Sequence, residues 1–591
     1  MRRSLWLIGL LALLPSVAYA QEAVPPVKVN YVVDAMDARN GNAWIDMTIQ
    51  NLPVEEVTVA IPAWRPGSYR ILNFHTRIKD VTASAGGAKL DVEPVDKQTW
   101  KVKGIGKREA TVRYRVTPDR DAIGADHYFM DGPGTFFYIP EHKSAACTVR
   151  YKLPEGWKAA SGLSDLGDGI FGARDYDTFA DCPTELGPFE MLTFKQDGVT
   201  YEVAVHAAGK YDSAGLIASI KKIVKSQCAM FGGAPFDRYV FLYHFRASAP
   251  GGGGLEHLNS THISLPLFFV RDTGVNAASI TSHEFFHLWN VKRIRPKELG
   301  PFDYTQPVRS NALWLCEGVT SYYGDLTLAR CGIWNEASYF QHLSAEVETL
   351  QNNPARLQMS VEEAGRTVWD RGQGQRSLDY YNKGEILGWL IDLRIRALTN
   401  NKKSFDDVMR HLYEKHVTGP AKDGKGPIGV GFPEDGILKA INDVSGHDFT
   451  EFYGKYVSGK DELPYAEVGK AAGLKIDVTV ERSAEFASSL RGLRVENVPV
   501  GSDDEKAGLR PGDRILEVAG VQVTTGATLR AELAKLEAGR PAAVKVMRDK
   551  EVELKLTPVG RERTRAAVAR PAGAADKQKR LIDSWLGKDL Y

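Results

Sequence analysis

Two histidines and a glutamate stand close together near the middle of the chain, in His283-Glu284-Phe285-Phe286-His287. Histidines at this spacing lie on one face of a helix, one turn apart, so that both can reach a single metal ion. The glutamate after the first histidine is then placed beside an open coordination position, where a general base would act on a water. The pattern predicts a zinc-binding helix. The alternative is a buried helix whose two histidines satisfy each other.

A catalytic zinc site needs a third protein ligand, and Glu317 is the candidate. It lies thirty residues after His287, within the mostly apolar stretch Trp314–Tyr322 on a predicted helix. A carboxylate among apolar neighbours is costly to bury without a positive partner, and a metal ion supplies one. We therefore expect one Zn²⁺ per chain, bound by His283, His287 and Glu317.

The residues around the histidine pair favour a buried helix over 275–294. Most of them are apolar, and Pro296 ends the segment. Lys292, Arg293 and Arg295 fall near that end, where positive charge interacts favourably with the helix dipole. We interpret this basic group as a helix cap, with substrate binding as the alternative.

Length and charge bound the class of protein. The chain has 591 residues, of which 43% are hydrophobic, and this predicts several domains with ample material for cores. The formal net charge is +1 and no basic stripe is present, so the sequence gives no electrostatic reason to expect a nucleic-acid partner.

The first twenty residues have the composition of a secretory signal peptide. Arg2 and Arg3 precede an apolar run over 5–14, and Ala18-Tyr19-Ala20 provides a small-x-small cleavage site. We expect cleavage after Ala20 and a periplasmic or secreted protein; an uncleaved anchor is the alternative. No later segment reaches the length of a membrane span, so none is expected in the mature protein.

The five cysteines are 147, 182, 228, 316 and 331. An odd number in an exported protein means at least one free thiol or an intermolecular bond. Cys147 and Cys182 are a candidate pair. Cys316, which precedes Glu317, is interpreted as a buried inert thiol.

Hydrophobic periodicity divides the chain into three parts. Short alternating runs separated by turn residues predict an antiparallel, sandwich-like β domain over 21–200. Its strands are expected at Val27–Val33, Ala43–Ile49, Glu56–Ile61, Thr99–Val102, Ala110–Val116 and Cys147–Leu153. A mostly helical unit with a small sheet is predicted over 201–465. Its helices are expected at 212–231, 275–294, 311–330, 334–352, 380–398, 403–416 and 433–457, and a strand at Tyr239–Phe245.

The last part returns to strands over 466–560. The run Ala507-Gly508-Leu509-Arg510-Pro511-Gly512-Asp513 resembles a bacterial-type PDZ domain. Its carboxylate-binding loop is expected near Leu490–Leu493, where Arg491 stands in place of an apolar residue. Binding of a peptide or protein C-terminus and a role as an interdomain spacer therefore both remain open. Residues 561–577 are interpreted as a linker, followed by a short helix over 578–587 that docks through Leu581, Trp585 and Leu586.

The segment His283–Pro296, the segment Trp314–Tyr322 and the PDZ-like module, in this order, resemble the bacterial glycyl aminopeptidase family. The early Pro62–Leu72 segment is also similar to that family, so the resemblance covers nearly the whole mature chain. It implies a multidomain α+β protein with an N-terminal antiparallel β domain, a gluzincin (thermolysin-like) catalytic domain and a C-terminal PDZ domain. Its substrates would be peptides with a free N-terminus, preferably Gly or Ala. We interpret the Pro62–Tyr69 turn as packing against a neighbouring domain, with substrate contact as the alternative.

The resemblance implies two further site residues. Pro250–His257 is similar to the glycine-rich loop that offers a glutamate to the substrate amine, which places Glu256 in that role. Gly253 and Gly254 would let the backbone approach the peptide, and Ser260–Pro266 would be the edge strand that pairs with it. The alternative is a flexible loop with a solvated acid, because His257 stands where asparagine is usual.

The second implied residue is Tyr381, in Tyr380-Tyr381-Asn382-Lys383-Gly384. A tyrosine in this position stabilises the oxyanion, since a phenol donates a hydrogen bond while remaining neutral. Tyr380 is the adjacent alternative, and a packed core tyrosine is the other.

Together these residues predict an exported zinc aminopeptidase. Glu284 would act as general base on a zinc-activated water, Tyr381 would stabilise the oxyanion, and Glu256 would hold the terminal ammonium. A periplasmic zinc endopeptidase with PDZ-assisted substrate capture and a non-catalytic peptide-binding scaffold are the rival hypotheses. The Glu256 loop argues against the first rival, and the intact ligand set argues against the second.

Overall fold

The computed structural model describes residues 25–588, except 107, 119–126, 248–251, 372–376 and 419–427. The predicted signal peptide, residues 1–20, lies outside the described residues. The fold is the multidomain α+β arrangement predicted from the sequence, with a β-rich N-terminal domain, a helical catalytic domain and a β-rich C-terminal module. No helix in the described part is long and apolar enough to cross a bilayer.

The N-terminal domain forms because its strands alternate apolar and polar residues. In Ala43–Gln50 every second side chain is buried, as expected for a sheet with one covered face. The strands are β1 Lys28–Asp34, β2 Ala43–Gln50, β3 Glu56–Ala60, β4 Ile78–Ala85, β5 Ala88–Pro94, β6 Thr99–Lys103, β7 Ala110–Val116, β8 Tyr128–Met130, β9 Ala146–Lys152, β10 Lys158–Ser161, β11 Ser164–Asp165, β12 Ile170–Ala173 and β13 Thr184–Gly187, with helix α1 at Tyr176–Ala180.

These strands form two sheets. The larger sheet has the order β11-β12-β9-β1-β2-β7-β4-β5-β6-β3, and the smaller has the order β10-β13-β8. Their pairing is antiparallel except between β1 and β9, which run parallel. One apolar core fills the domain and extends to Tyr304 of the next domain.

A mixed sheet opens the catalytic domain, in the order β14-β15-β16-β18-β17. Its strands are β14 Glu190–Gln196, β15 Val199–Ala207, β16 Arg238–Arg246, β17 Gly253–Glu256 and β18 Ser260–Pro266. Because β14 pairs with β15, the sheet begins before the expected domain boundary at residue 200.

The helices of this domain pack on one face of the sheet and around each other. They are α2 Ser213–Met230, α3 Leu267–Val270, α4 Ala278–Phe286, α5 Thr320–Arg330, α6 Glu336–Gln351, α7 Val361–Arg366, α8 Tyr380–Leu398, α9 Phe405–His416, α10 Gly436–Ser445, α11 Thr450–Tyr456 and α12 Tyr465–Ala472, with short strands β19 Val417–Thr418 and β20 Ile428–Gly429. Nearly every side chain of α8 is buried, so this helix forms the centre of the domain.

Two predicted helices are wrong in extent. The metal-helix segment is helical only to Phe286, and the predicted helix over 433–457 is divided, because Gly446 adopts a left-handed conformation with φ 68° after Ser445. The predicted helix over 311–330 contains a wider π-helical turn at Trp314–Val319 before α5.

The C-terminal module is a small sheet domain on a two-stranded ribbon. Its elements are β21 Lys475–Glu485, β22 Ser489–Arg491, β23 Arg494–Asn497, α13 Asp503–Lys506, β24 Arg514–Val518, β25 Val521–Gln522, α14 Gly526–Leu533, β26 Ala542–Met547, β27 Glu551–Leu556, β28 Val559–Ala569 and α15 Asp576–Trp585. Strands β21 and β28 pair with each other along their full length, outside the main sheet of the module.

The linker expected over 561–577 is therefore wrong for most of its length. Strand β28 pairs with β21, and it lies on α6, where Val568 N donates to Ser344 Oγ at 3.0 Å. The final helix docks as predicted, since Leu581, Trp585 and Leu586 are all buried. Trp585 Nε1 donates to Tyr322 Oη at 2.9 Å, which fixes this helix against the catalytic domain.

All five cysteines are free, so the candidate pair Cys147–Cys182 does not form a disulfide. The two thiols have different surroundings: Cys147 Sγ donates to Ala145 O at 3.5 Å, whereas Cys182 Sγ lies 4.0 Å from Asn259 Oδ1 of the catalytic domain. Cys316 is fully buried, as expected, and burial raises the pKa of its thiol.

Candidate metal centre and active site

The three predicted metal ligands meet at one point. His283 lies on α4, His287 is the residue that ends this helix, and Glu317 lies in the π-helical turn. The two Nε2 atoms are 3.0 Å apart, and Glu317 Oε2 lies 3.3 Å from Nε2 of His287 and 3.9 Å from Nε2 of His283. His287 and Glu317 are buried, and the side chain of His283 retains 19% exposure.

When both rings are neutral, hydrogen bonds on the far side of each imidazole leave the facing Nε2 atoms unprotonated. His287 Nδ1 donates to the carbonyl of Asn290 at 2.7 Å, and His283 Nδ1 lies 3.3 Å from Ser321 Oγ. Two nitrogen lone pairs and a carboxylate oxygen therefore face each other. Such an arrangement is repulsive without a cation, and it matches the ligands and orientation that zinc uses in proteins. The residues fit a metal ion.

The chain after His287 is held by Asn290. Its Nδ2 donates to Leu315 O at 2.7 Å and to Thr320 Oγ1 at 3.0 Å, on either side of Glu317. Asn290 thus orients an imidazole through its backbone carbonyl, and its side chain fixes the turn that carries the third ligand. This is the reason for the close approach of two segments that are thirty residues apart.

The pKa values of the two histidines also indicate that the cluster favours a cation. Burial opposes charge on His287, but Glu317 more than offsets this and raises the pKa of His287 to about 9. Burial, with His287 adding to it, lowers the pKa of His283 to about 3. A single proton therefore resides on His287 when no metal is bound. A divalent ion in its place would release that proton, as is general for metal binding at histidine.

Glu284 lies beside the metal ligands and against the edge strand β17. A Cβ atom added to Gly254 would lie 2.1 Å from Glu284 Oε1, so only glycine leaves room for this carboxylate. Burial raises the pKa of Glu284 to about 8; His287 works against this, and Glu256 and Glu317 add to it. The carboxyl group is thus tuned to exchange a proton near neutrality.

Tyr381 packs beside the cluster, with its ring 6.1 Å from that of His283. Asp379 caps α8 by accepting from Tyr381 N at 2.8 Å. The helix approaches the π-helical turn closely, because a Cβ atom on Gly318 would lie 2.4 Å from Cα of Gly384. Burial, followed by Glu317, raises the pKa of the Tyr381 phenol, which keeps it protonated. The alternative residue, Tyr380, is more fully buried, and its carbonyl faces Gly318.

Glu256 is buried at the end of β17, on the same strand as Gly253 and Gly254. The glycine-rich segment is thus a strand from Gly253 onward rather than a loop. The expected edge strand is wrong: β18 lies between β16 and β17, and β17 is the edge strand at this end of the sheet. A peptide would pair with the strand that carries Glu256 itself.

Tyr69 is the site residue that sequence reasoning missed. Its hydroxyl donates to Glu317 Oε1 at 2.8 Å, across 248 residues of sequence. Its backbone has φ 42°, a strained conformation for a bulky side chain, and such strain concentrates at functional sites. Its ring also meets Trp369 edge to face at 6.3 Å. The Pro62–Tyr69 turn was noticed in the sequence, but only its packing role was favoured.

The same turn supports Glu256. Gly67 adopts φ 84°, and a Cβ atom there would lie 2.9 Å from both oxygens of the Glu256 carboxylate. The turn of the N-terminal domain therefore contacts one metal ligand through Tyr69 and the candidate amine-binding acid through Gly67. The active site is built from two domains.

Comparison with known families agrees with this geometry. The model of the M61 glycyl aminopeptidase matches residues 276–387, the model of the M61 peptidase N-terminal domain matches residues 30–188, and a PDZ domain model matches residues 472–557. The chain thus has the catalytic and N-terminal domains of the M61 glycyl aminopeptidases together with a C-terminal PDZ domain. It is therefore a metallo-aminopeptidase, the enzyme class predicted from the sequence.

One solved structure shows the same fold. An aminopeptidase N family protein from Idiomarina loihiensis is 23% identical, with 94% of this chain and 100% of that chain covered and a TM-score of 0.79. An M1 zinc metallopeptidase from Deinococcus radiodurans is 15% identical, with coverages of 75% and 95% and a TM-score of 0.46. No curated protein matches the M61 chain by sequence.

The basic segment after the metal helix of this M61 chain is not a helix cap, which corrects the interpretation from sequence. Lys292, whose side chain retains 9% exposure, pairs with Asp181 of the N-terminal domain at 2.7 Å. Arg293 is fully buried and donates to the carbonyls of Leu258 and Leu288 at 3.0 and 2.6 Å. Because the helix ends early, these side chains turn inward and hold the domains together.

Two further clusters combine histidine and acid. His342 Nε2 lies 3.1 Å from Asp325 Oδ2 and 2.8 Å from Glu385 Oε1. Burial opposes charge on His342, but the hydrogen bonds to these two acids raise its pKa to about 11, so a proton already supplies the cation there. The other cluster, formed by His127, Glu185 and His244, joins the N-terminal domain to the catalytic sheet.

Proposed function

We propose that this chain is an exported zinc aminopeptidase that removes single N-terminal residues, small ones such as Gly or Ala, from peptides. One observation carries the proposal. Glu284, beside the three converging ligands, lies against Gly254, and the buried Glu256 lies two residues further along the same edge strand. This spacing suits a terminal ammonium at Glu256 and a scissile bond one residue away.

His283, His287 and Glu317 would hold one zinc ion. The ion would supply Lewis acidity, polarising a carbonyl and lowering the pKa of a water toward neutrality. Tyr69 restrains Glu317 through its second oxygen and so fixes the geometry of the third ligand.

Glu284 accepts the proton of the attacking water and returns it to the leaving amine. Its pKa near 8 without metal suits both roles, since a nearby divalent cation shifts it downward, toward the ionised form that accepts a proton. The carboxylate is not a ligand in this scheme, so its loss removes the base and leaves the metal site intact.

Glu256 binds the free amine of the substrate. A buried carboxylate at the end of a strand forms a strong charge-assisted hydrogen bond with an ammonium group. The turn that carries Gly67 and Tyr69 stands behind Glu256 and closes part of the space past this acid. That closure favours removal of a terminal residue over internal cleavage.

Tyr381 donates a hydrogen bond from its neutral phenol to the oxyanion. The ring lies alongside His283 on the open side of the ligands, and its raised pKa keeps the proton available. Tyr380 is more fully buried and is the less favoured donor.

The preference for Gly or Ala is supported by the family name alone. A cavity of about 210 Å³, lined by Trp64, Leu258, Val291 and Phe302 among others, adjoins Glu256 and has space for larger side chains. Hydrolysis of a peptide series from Gly to Leu at the first position measures this preference directly. Export, and binding of a C-terminus at the PDZ domain, remain predictions; Arg491 in that module is paired with Glu496 at 2.6 Å.

The chemical test is Glu284→Gln. We expect retention of one zinc per chain and a loss of kcat of about a thousandfold on a free-amine peptide. Glu298→Gln, on the surface nearby, is the matched control with wild-type turnover. Wild-type turnover by Glu284→Gln would remove the proposed base.

The mode of cleavage is tested with paired peptides that differ only in acetylation of the amine. Hydrolysis should be confined to the free-amine peptide and should stop on addition of a chelator. Internal cleavage of the acetylated peptide at an equal rate would establish an endopeptidase instead.

A further inference from the structure

A basic cleft runs along the edge strand on the side away from the helices. Its volume is about 750 Å³, and it is bounded by Gly252–Leu255 on one side and by the N-terminal domain on the other. Among the described residues that line it are four arginines and one carboxylate: Arg65, Arg70, Arg77 and Arg246, with Asp131 as the acid. The mechanism above uses none of them.

The strand registers place these groups on one face of the sheet. His244 on β16 pairs with Ser264 on β18, which pairs with Gly253 on β17, so these three residues point to the same side. Arg246 lies two residues after His244 and shares that face. It is therefore level with the glycine end of the edge strand.

The direction of the substrate follows from two contacts. The substrate amine is held at Glu256, and the base Glu284 lies against Gly254. A bound peptide therefore runs alongside β17 from the position of Glu256 toward that of Gly254, and its scissile bond lies at the metal centre. The residues after the scissile bond must then pass Gly253 and Gly252. At about 3.3 Å per residue, the first two residues of the leaving group lie within this cleft.

An extended peptide of two or three residues would place its own C-terminal carboxylate among these arginines. Arg65 is oriented by Ser68 Oγ at 2.8 Å and by Asp131 at 3.2 Å, whereas Arg70 is exposed at the rim. Guanidinium groups bind carboxylates with strong charge-assisted hydrogen bonds.

We propose that this cleft binds the C-terminal carboxylate of the leaving group, so that di- and tripeptides are the preferred substrates. This inference rests on the proposed aminopeptidase function. The ligand is a carboxylate one or two residues beyond the cleaved bond. Longer peptides place their carboxylate outside the cleft and gain nothing from it.

The test compares kcat/KM for peptide acids and their C-terminal amides. For Ala-Ala-Ala against Ala-Ala-Ala-amide, we expect wild-type enzyme to favour the acid by about tenfold or more, the value of one charge-assisted hydrogen bond. For the corresponding hexaalanine pair, the ratio should be near one. A tripeptide ratio near one, or a hexapeptide ratio as large as the tripeptide ratio, would overturn the proposal.

Two arginine variants test whether the preference for the peptide acid arises in the cleft. The acid-to-amide ratio should fall toward one in Arg246→Gln and in Arg70→Gln. Arg394→Gln is the matched control, because this residue pairs with Glu467 on another face of the catalytic domain. An unchanged ratio in both cleft variants would contradict the assignment.

A binding measurement separates this proposal from the proposed function. Titration of the tripeptide acid and amide into Glu284→Gln protein by calorimetry gives two dissociation constants without turnover. If no free-amine peptide is hydrolysed by wild-type protein, the proposed function fails. If hydrolysis occurs but acid and amide bind equally, only the carboxylate site fails.

Discussion

Two clusters in this protein contain two histidines and one glutamate, yet they have opposite hydrogen-bonding arrangements. At the metal centre, one oxygen of Glu317 faces both imidazoles, and each ring is hydrogen bonded on its outer side. At the domain interface, Glu185 gives one oxygen to each ring: Oε1 to His127 at 3.0 Å and Oε2 to His244 at 2.7 Å. The far nitrogen of His244 then meets His262 at 3.0 Å.

The comparison shows that residue types alone do not make a metal site. In the interface cluster every facing lone pair has a proton donor, so the group is a closed chain of hydrogen bonds. In the metal centre each imidazole uses its Nδ1 for a hydrogen bond on the outer side. The lone pairs of the two Nε2 atoms and of the Glu317 carboxylate face inward, where one cation can bind them. We therefore expect the orienting partners to decide which cluster binds metal.

The largest expected effect is the loss of bound metal, and it tests directly whether the two clusters differ. His287→Ala should lose the bound metal and activity on a free-amine peptide by several orders of magnitude, because one of three ligands is removed. His244→Ala should retain one metal per chain. Metal analysis of purified protein by mass spectrometry measures both. Two metal ions in wild-type protein and one in His244→Ala would show that the interface cluster is also a metal site.

Removal of an orienting partner should have a smaller effect. Tyr69→Phe keeps the ring against Trp369 but removes the hydrogen bond to Glu317, so metal affinity should fall about ten- to a hundredfold. Competition with a chromophoric chelator measures the dissociation constant. Tyr304→Phe, a buried tyrosine of the same interface whose hydroxyl bonds Asp177, is the matched control. Equal affinities in the two variants would show that Tyr69 has no orienting role.

The sequence was sufficient to bring together the three candidate metal ligands, because each is defined locally. The histidine spacing belongs to one helix, and Glu317 lies in an apolar stretch where an acid needs a partner. The position of Tyr69 could not be predicted in this way. It reaches Glu317 only through the docking of two domains, and its left-handed backbone is set by that docking rather than by local preference.

Composition also misled the prediction of strands. Glycines are unfavourable in strands, so Gly253–Glu256 was expected to be a loop, yet Gly254 is required there by the carboxylate of Glu284. The Pro, Ala and charged residues after 560 are typical of linkers, but β28 is stabilised by a partner strand almost ninety residues earlier. In both cases a distant contact overrides local propensity.

The smallest expected effect is a pH-dependent change in the free energy of unfolding that arises from Glu185 in the interface cluster. Burial alone would raise the pKa of Glu185, but His244 and the hydrogen bond from His127 lower it to about 2 from the usual 4.5. A depressed pKa means that the ionised group stabilises the fold fully above about pH 4.5, and that this stabilisation is lost as the pH falls toward 2. The shift corresponds to roughly 3 kcal/mol.

Glu185→Gln should therefore be less stable than wild type at pH 7, and the difference should shrink between pH 4.5 and 2. Chemical denaturation across this range measures it, and taking the difference removes the contribution of other carboxylates. Glu202→Gln, which loses a half-exposed ion pair with Arg238, is the control and should cost at most about 1 kcal/mol at neutral pH. If the Glu185 difference is independent of pH, the carboxylate is not held ionised by the histidines. In that case the closed chain of hydrogen bonds, which distinguishes this cluster from the metal centre, is not its correct description.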